Sequence, residues 1–445
     1  MEGGGCGCFS TVSRNHRATD HEHPTQLLIN HYSTVDTKGG AALAALRLHR
    51  ALREAGAAST LYVREKLGQE AGVEMVPPRQ ENRFLHRLRR MTQGPRPVPT
   101  YTFNLDERPR ISLYRFLATP AAVAPTVSVI HWVDDFLDIA SIRRLIDHSR
   151  GPLVWMIHDL EPLTGGCHYS FGCQKYLTEC GACPQLVSAD QHDRSNRTWR
   201  RRRDLLAGQP ICFIAPTSWG EARIRESSLF GQARIARIPL PIEPRIFRPF
   251  ARQVARDLLH LPAEASVLLC GASYIDDPRK GMRELVRALH LLSPEKCKEL
   301  HILLVGLNGA SWSQELPWPV HYLGEVFDPL LMALAYQSAD IFLCPSLADS
   351  GPMMIPEALL CGTPVVAFPT GGAPDWIEHG VNGYLARFGD AADFAAGIEL
   401  LLTLDREKVA RSARSSVEDL HRPDLIARQH LQLYRELLNT DAEHD

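Results

Sequence analysis

Residues 340–384, DIFLCPSLADSGPMMIPEALLCGTPVVAFPTGGAPDWIEHGVNGY, are the most informative segment of this chain. It alternates short apolar runs with glycine and proline. Ile341–Cys344 and Pro364–Phe368 are apolar and bounded by turn residues, as buried parallel strands are. Between them, Met354–Cys361 is predicted to form a short helix that the following Gly-Thr-Pro sequence ends. The segment therefore predicts a strand–helix–strand unit of a parallel sheet.

Polar residues and glycines stand at the turns of this unit. Asp349 follows the first strand, and Glu357 lies eight positions later, in the first turns of the helix near its positive end. Gly371 and Gly372 follow the second strand, where a bare backbone can approach a phosphate closely. The carboxyl ends of parallel strands share one edge of a sheet. We therefore expect these residues in the usual ligand crevice of a doubly wound fold.

The pattern resembles the nucleotide-sugar motif of the group 1 (family 4) glycosyltransferases. In that family an acid is followed by seven residues, a glutamate, a G-x-PVVA strand and a GG loop. Here Asp349, Glu357 and CGTPVVAFPTGG match it. The chain departs from the family at Asp349, where glutamate is more usual, and at Ser350-Gly351, where an aromatic–glycine pair usually stands. The resemblance implies an α/β chain of the GT-B fold, with two Rossmann-like domains facing a central cleft. It also implies that Glu357 binds the donor ribose and Asp349 a sugar hydroxyl. The open alternative for Glu357 is that it only complements the helix dipole.

Length and composition are those of an ordinary two-domain enzyme. The chain has 445 residues, 44% of them apolar and 22% charged, and a net charge of −2. The sequence contains no uninterrupted run of 18 apolar residues, so it does not predict a membrane-spanning helix. The first 24 residues lack the apolar core of a signal peptide and predict a disordered lead-in. We therefore expect a cytoplasmic protein. The near-neutral charge does not indicate a nucleic-acid partner.

Strand and helix patterns alternate along most of the chain, as in parallel α/β domains. The proline-rich stretch Arg237–Pro249 indicates a linker, placed at residues 241–250. It separates an N-terminal acceptor-side domain (25–240) from a nucleotide-sugar-binding domain (251–420). Residues 421–445 are predicted to cross back as a helix and end in a tail. The other strands are predicted at Gln26–Ile29, Ser59–Val63, Val127–Ile130, Leu153–Ile157, Ile211–Ala215, Val267–Ala272 and His301–Gly306.

Arg279 and Lys280 open a helix after a strand and a turn, in GASYIDDPRKGMRELVRAL. A lysine beside helix amides suits a diphosphate. By resemblance, Lys280 matches the family's lysine before the helix glycine. The family's arginine position just after the strand holds Ala272 or Ser273, so Arg279 is the candidate substitute. The alternative is that both are solvated charges at a helix start.

Two further site candidates lie in the first domain. Gly39 and Gly40 precede a helix, as the family's N-terminal glycine loop does, and would let donor phosphates approach the backbone. His158 ends the strand LVWMI and matches the family's strand-ending His-Asp pair, so it would hydrogen-bond the donor sugar or the acceptor. A satisfied core histidine is the alternative. His131 ends another strand, and Asp134 and Asp135 beside it could cap a helix.

Four cysteines stand close together in residues 158–186: Cys167, Cys173, Cys180 and Cys183. The final C-G-A-C is typical of half of a structural zinc site, and a cytosolic thiol cluster is more often metallic than disulfide-bonded. His168 competes as a ligand, and free buried thiols or a redox pair remain alternatives. The same segment resembles an exopolysaccharide and colanic-acid-type subgroup of these transferases, through HD-x-x-P-x-TGGCHY and CG-x-CPQL.

Arginines are dense in two segments that contain no acid between the first and last arginine. They could attract anionic lipid headgroups, as a peripheral enzyme acting on a lipid-linked acceptor needs. A solvated helix face or loop is the alternative. The two groups are Arg83, Arg87, Arg89, Arg90 and Arg96, and Arg194, Arg197 and Arg200–Arg203.

These features lead us to expect a GT-B glycosyltransferase that moves a hexose from a nucleoside-diphosphate donor to a hydroxyl of a glycan or lipid-linked acceptor. The resemblance implies retention of anomeric configuration, with no catalytic metal or organic cofactor. His158, Asp349 and Lys280 are the predicted catalytic residues. A GT-B epimerase or phosphorylase would keep the same fold. A non-catalytic GT-B protein that binds carbohydrate or nucleotide sugar is the alternative from another class.

Overall fold

The computed structural model describes residues 27–76, 126–148, 151–293, 295 and 299–442. The first lobe is a seven-stranded parallel sheet in the order β3-β2-β1-β4-β5-β6-β7. Its strands are β1 (Leu28–Val35), β2 (Ala58–Glu65), β3 (Val73–Met75), β4 (Thr126–Ile130), β5 (Leu153–Met156), β6 (Ile211–Ala215) and β7 (Arg234–Arg237). Its helices are α1 (Gly40–Glu54), α2 (Ile139–His148), α3 (Arg194–Leu206) and α4 (Ser218–Glu226).

The second lobe is a six-stranded parallel sheet in the order β10-β9-β8-β11-β12-β13. Its strands are β8 (Ser266–Tyr274), β9 (Leu300–Leu307), β10 (Val320–Gly324), β11 (Ile341–Cys344), β12 (Val365–Ala367) and β13 (Gly383–Leu385). Its helices are α5 (Arg252–Leu258), α6 (Met282–His290), α7 (Gly309–Trp312), α8 (Pro329–Ser338), α9 (Met354–Leu360), α10 (Ala373–Trp376), α11 (Ala391–Thr403) and α12 (Arg406–Val417).

Both sheets have the strand order of a doubly wound fold, so the predicted α/β class is confirmed. Every residue of β4, β5, β6 and β11 is buried, because helices cover both faces of a parallel sheet. The order reverses between β1 and β4 in the first sheet and between β8 and β11 in the second. Ligand crevices form beside such reversals, at the carboxyl ends of the strands.

Two crossings of the chain join the lobes side by side. The N–H of Ile242, in the connection between the lobes, donates to the carbonyl of His421 (3.0 Å), and the His421 imidazole reaches the carbonyl of Leu240 (2.8 Å). The last helix, α13 (Pro423–Ala442), then packs on α1 of the first lobe, and Glu436 pairs with Arg234 at 2.5 Å. The proline-rich connection and the returning chain therefore brace each other.

The predicted strand at Ile341–Cys344 and the predicted strand at Ile211–Ala215 have the observed bounds. The short strands β3, β7, β10 and β13 were not predicted. All four lie at sheet edges, and β7, Arg-Ile-Ala-Arg, has no buried residue. Asp138, and not Asp134 or Asp135, caps α2, since its carboxylate accepts the N–H of Ser141.

The second arginine group lies on α3, and most of its charges have partners. Arg202 is 1% exposed and donates to the carbonyls of Glu161 and Thr164 and to the Glu161 carboxylate. Arg200 pairs with Glu179 at 2.6 Å. The expectation of one lipid-facing cluster is therefore wrong for Arg202, which points inward. The first arginine group and the predicted lead-in lie outside the described residues. Among the described helices, none has the length and apolar character needed to cross a bilayer.

Three histidines from adjacent strands form a line inside the first lobe. His31 Nδ1 lies 2.9 Å from His131 Nε2, and His131 Nδ1 lies 3.2 Å from His158 Nε2. Burial, together with the neighbouring imidazoles, holds the pKa of His31 and of His131 well below 6.5. Burial also lowers the pKa of His158 to about 4, against the opposing charge of Asp159. All three imidazoles are therefore neutral at pH 7.

These neutral histidines should make the protein sensitive to acid. Between pH 6.5 and about 4, the unfolded chain binds protons that the folded chain excludes, so stability falls as the pH falls. His131→Asn removes one such group. We expect the stability gap between this variant and the wild type to narrow from pH 7.5 to pH 5, by at most about 1.4 kcal/mol per pH unit. Urea unfolding at several pH values measures the gap.

His148→Asn supplies the matched control, since it replaces an exposed histidine that folding does not bury. A constant gap for His131→Asn would show that this imidazole is not kept neutral by folding.

Candidate active site between the two lobes

Gly281 brings the predicted phosphate-binding turn against the end of β11. Its φ is +69°, and a Cβ at this position would collide with the carbonyl oxygen of Pro345. The close approach lets the carbonyl of Arg279 accept the N–H of Leu347 at 2.6 Å. The loops that follow β8 and β11, on either side of the strand reversal, are thereby fastened together.

Lys280 and Asp349 form an ion pair at this junction. Lys280 Nζ lies 2.6 Å from Asp349 Oδ2, and the N–H of Gly351 donates to Asp349 Oδ1 at 3.1 Å. Asp349 is 8% exposed. Burial by itself would raise the pKa of Asp349, but the Lys280 ammonium and these hydrogen bonds outweigh it and lower the pKa. Two of the three predicted catalytic residues are thus in direct contact, and the carboxylate is ionised.

Arg279 is held from both lobes. Asp277 accepts from its backbone N–H at 3.0 Å and from its guanidinium. The guanidinium also lies over the ring of Tyr169 from the first lobe, 4.3 Å from the ring centroid. Sequence reasoning missed Tyr169 as a site residue. Its position within the TGGCHY motif was the available signal.

The His158 loop meets the Asp349 loop across the interlobe boundary. The hydroxyl of Ser350 donates to the backbone carbonyl of His158, and the hydroxyl of Thr217 donates to the carbonyl of Ser350 at 3.1 Å. Asp375 adds a further link, since it accepts the N–H of Ser218 at 2.8 Å. His158, the predicted catalytic residue of the first lobe, therefore lies beside the loop that carries Asp349 in the second lobe.

The two predicted glycine loops have different surroundings. A side chain at Gly371 would collide with the backbone of Asp349 and Ser350, and one at Gly372 would meet Thr217. These glycines are needed for packing as well as for open backbone. Gly39 and Gly40, at the N-terminus of α1, are exposed, and no atom lies within 4 Å of an added Cβ at either. The N–H groups of an exposed helix N-terminus of this kind suit an anion.

Glu357 lies at the boundary between the lobes but contacts residues other than Lys280 and Asp349. Its carboxylate lies 2.7 Å from Arg47 Nη2 on α1 and accepts the Tyr336 hydroxyl at 3.1 Å. Arg47 also pairs with Glu243 at 3.1 Å. Although burial opposes it, the pKa of Arg47 is raised by these two carboxylates. Arg47 was not a predicted site residue, because a lone arginine on a helix carries no motif.

Cys167, Cys173, Cys180 and Cys183 line one cavity, and all four are free thiols. His168 is not among the residues around it. Its Nδ1 lies 2.7 Å from the Asp159 carboxylate, so the competing ligand is already engaged. Across the described residues, no three histidine, cysteine or acidic side chains already stand at metal-binding positions.

Parts of this chain are similar in sequence to known glycosyltransferases. Residues 265–404 match the family model described as Glycosyl transferases group 1. A D-inositol 3-phosphate glycosyltransferase of Stackebrandtia nassauensis is 32% identical over 40% of this chain and 43% of its own length. The chain thus spans less than half of that relative. The putative colanic acid biosynthesis glycosyl transferase WcaC of Escherichia coli K12 is 25% identical over 77% of this chain and 83% of its own length.

Solved structures share the architecture over most of the chain. Sucrose-phosphate synthase of Thermosynechococcus elongatus has a TM-score of 0.67 at 20% identity, covering 93% of this chain and 100% of its own. HepE of Anabaena, solved in complex with UDP-glucose, has a TM-score of 0.64 at 18% identity, covering 92% and 100%. These similarities show that the chain has the GT-B fold and that its second lobe is similar to the group 1 glycosyltransferases.

Proposed function

We propose that this chain is a retaining, family 4 hexosyltransferase that transfers a sugar from a nucleoside diphosphate to an acceptor hydroxyl during assembly of a cell-surface polysaccharide or glycan. The contact between Lys280 and Asp349 carries the proposal, because it sets a cation beside the carboxylate that we propose binds the donor sugar, next to the strand reversal of the second sheet. The similarity to WcaC supports polysaccharide assembly.

The donor's diphosphate would lie between the lobes. Lys280 and Arg279, the N-terminus of α6 and the backbone at Gly371-Gly372 would hold it from the second lobe. Gly39-Gly40 at the N-terminus of α1 would approach it from the first. Fixed cations and backbone amides stabilise the negative charge that develops on a leaving phosphate. HepE was solved with UDP-glucose, so we take a UDP-hexose as the first candidate donor.

The transfer needs no nucleophile from the protein. The bond between the anomeric carbon and the leaving phosphate oxygen breaks, and the acceptor oxygen bonds to the same face of that carbon. The acceptor's proton passes to the departing phosphate. Lys280 and Arg279 offset the charge left on the diphosphate, so this scheme assigns no step to a catalytic metal or an organic cofactor.

His158 would act as a neutral hydrogen-bonding group. Its Nε2 is engaged by His131 at 3.2 Å, which leaves Nδ1 for the donor sugar or the acceptor. The pKa of about 4 keeps the imidazole uncharged, so it would orient a hydroxyl without adding a charge. Asp349 would bind a hydroxyl of the donor sugar.

We further propose a glycan or lipid-linked acceptor, and action in the cytoplasm or at the inner face of the membrane. The polysaccharide-assembly relative supports such an acceptor. Peripheral membrane contact stays a prediction. Nothing in the charge of the chain indicates a nucleic-acid partner.

Turnover of nucleotide sugars tests the proposed function. Purified protein is incubated with UDP-, GDP- and ADP-hexoses, with and without lipid-linked acceptors. Donor-dependent thermal stabilisation and release of the nucleoside diphosphate are measured. We expect one donor class to stabilise the protein and to be consumed. Lys280→Ala should lower kcat/KM by about 100-fold or more, as loss of a charge-stabilising group does.

Lys408→Ala, at an exposed lysine of α12, is the control and should behave as the wild type. A protein that binds a donor but neither transfers nor hydrolyses it would instead be the non-catalytic binder. Failure of every donor to bind would refute the proposed function.

Glu357 can bind the donor ribose only if it exchanges part of its contact with Arg47. Glu357→Gln should weaken donor binding about tenfold or more, since a hydrogen bond to a charged acceptor contributes about 1.5–3 kcal/mol. Arg47→Met should destabilise the fold by about 3–5 kcal/mol, because it removes the cation that pairs with the buried Glu357 carboxylate. At temperatures where it stays folded, it should bind the donor at least as tightly as the wild type. Calorimetric titration and thermal unfolding separate the two effects.

The opposite pattern would contradict the ribose assignment. If Glu357 serves only as the partner of Arg47, Glu357→Gln will lower stability and leave donor affinity unchanged.

A further inference from the structure

We propose that Cys167, Cys173, Cys180 and Cys183 bind one structural zinc ion. The four side chains surround a single cavity in the segment between β5 and α3. None of them forms a disulfide, and three are only 8% exposed. Four thiolates are a complete ligand set for tetrahedral zinc, and such a closed site is structural.

Backbone N–H groups bond to two of the cysteines around the cavity. The N–H of Gly165 donates to Cys180 Sγ at 3.2 Å. The N–H of Leu186 donates to the backbone carbonyl of Cys183 at 3.2 Å. The first of these bonds ties the Cys180 side chain to the loop that carries Cys167.

The turn that joins Cys180 to Cys183 is held independently of any metal. Ala182 has a φ of +43°, in the left-handed region, and its N–H donates to the carbonyl of Asp190 at 2.8 Å. The N–H of Cys183 donates to Asp193 at 2.8 Å, and Lys175 binds the carbonyl of Ala182 at 2.7 Å. The backbone is thus arranged in advance. The cysteine side chains must change rotamer to bind a metal, because no three potential ligands among the described residues already stand together at metal-binding positions.

The chemistry of the ligands selects the metal. Sulfur ligands favour zinc over magnesium or calcium, which take oxygen ligands. The His168 imidazole is bound to Asp159, so the set is four sulfurs with no open position for substrate.

The cavity connects to the proposed active site through Tyr169. Gln185, two residues after Cys183, donates from its side chain to the carbonyl of Tyr169 at 2.6 Å. The Tyr169 ring in turn faces Arg279. We infer that zinc fixes Tyr169 against the diphosphate site, and this step rests on the proposed function. The zinc site itself does not depend on that function.

Metal analysis of the full-length protein tests the site. Protein purified without chelators is measured for zinc by mass spectrometry, and we expect about one zinc per chain. Cys173→Ser and Cys183→Ser should lose most of the metal. Cys270→Ala, at a buried cysteine of β8, should retain it. Zinc loss on chelation should lower the melting temperature of the wild type and not that of Cys183→Ser.

A second measurement covers variants that fail to fold. Metal-free wild type is titrated with cobalt(II), and tetrahedral thiolate coordination should give intense visible absorption. No zinc in the wild type, together with no such absorption, would overturn the proposal. A protein mass lower by two hydrogens for each disulfide would overturn it as well. Zinc present in a chain that turns over no donor would leave the metal site intact and refute only the proposed function.

Discussion

The structure depends on how a buried carboxylate is kept charged at the boundary between two lobes. Asp349 is 8% exposed, and an isolated carboxylate there would be costly, so the Lys280 ammonium 2.6 Å away is a structural requirement as well as a proposed binding group. Arg279 is compensated in the same way by Asp277. The two cations and two carboxylates nearly cancel. A bound diphosphate would therefore owe much of its stabilisation to helix N-termini and backbone N–H groups, as well as to the rearrangement of these pairs.

Several contacts between the lobes are polar. Ser350 bonds the backbone of His158, and Asp375 bonds Ser218. Arg47 joins α1 to Glu357. Polar boundaries of this kind resemble transient interfaces, which allow domains to open and close. Because these contacts involve proposed site residues, opening of the lobes would expose the site and closing would exclude water from it.

The cysteine segment links the stability of the first lobe to this boundary. Arg202 fastens it to α3 through two carbonyls and the Glu161 carboxylate, and Tyr169 extends from it to Arg279. A segment with so little regular structure needs cross-links to hold one shape. The buried arginine supplies one, and the proposed zinc site would supply another.

Local patterns in the sequence determined the fold class and pointed to much of the candidate site. The buried strand at Ile341–Cys344 and the turn at Arg279-Lys280 could be predicted, because apolar runs and glycines act over a few residues. The edge strands could not be predicted. For example, β7 lacks a buried residue and exists only because β6 pairs with it. Tertiary structure alone decided the partners of Glu357 and Arg279. Arg47 and Tyr169 reach them from the other lobe, more than 100 positions away in sequence. Such contacts follow from how two sheets are placed, which no local pattern encodes.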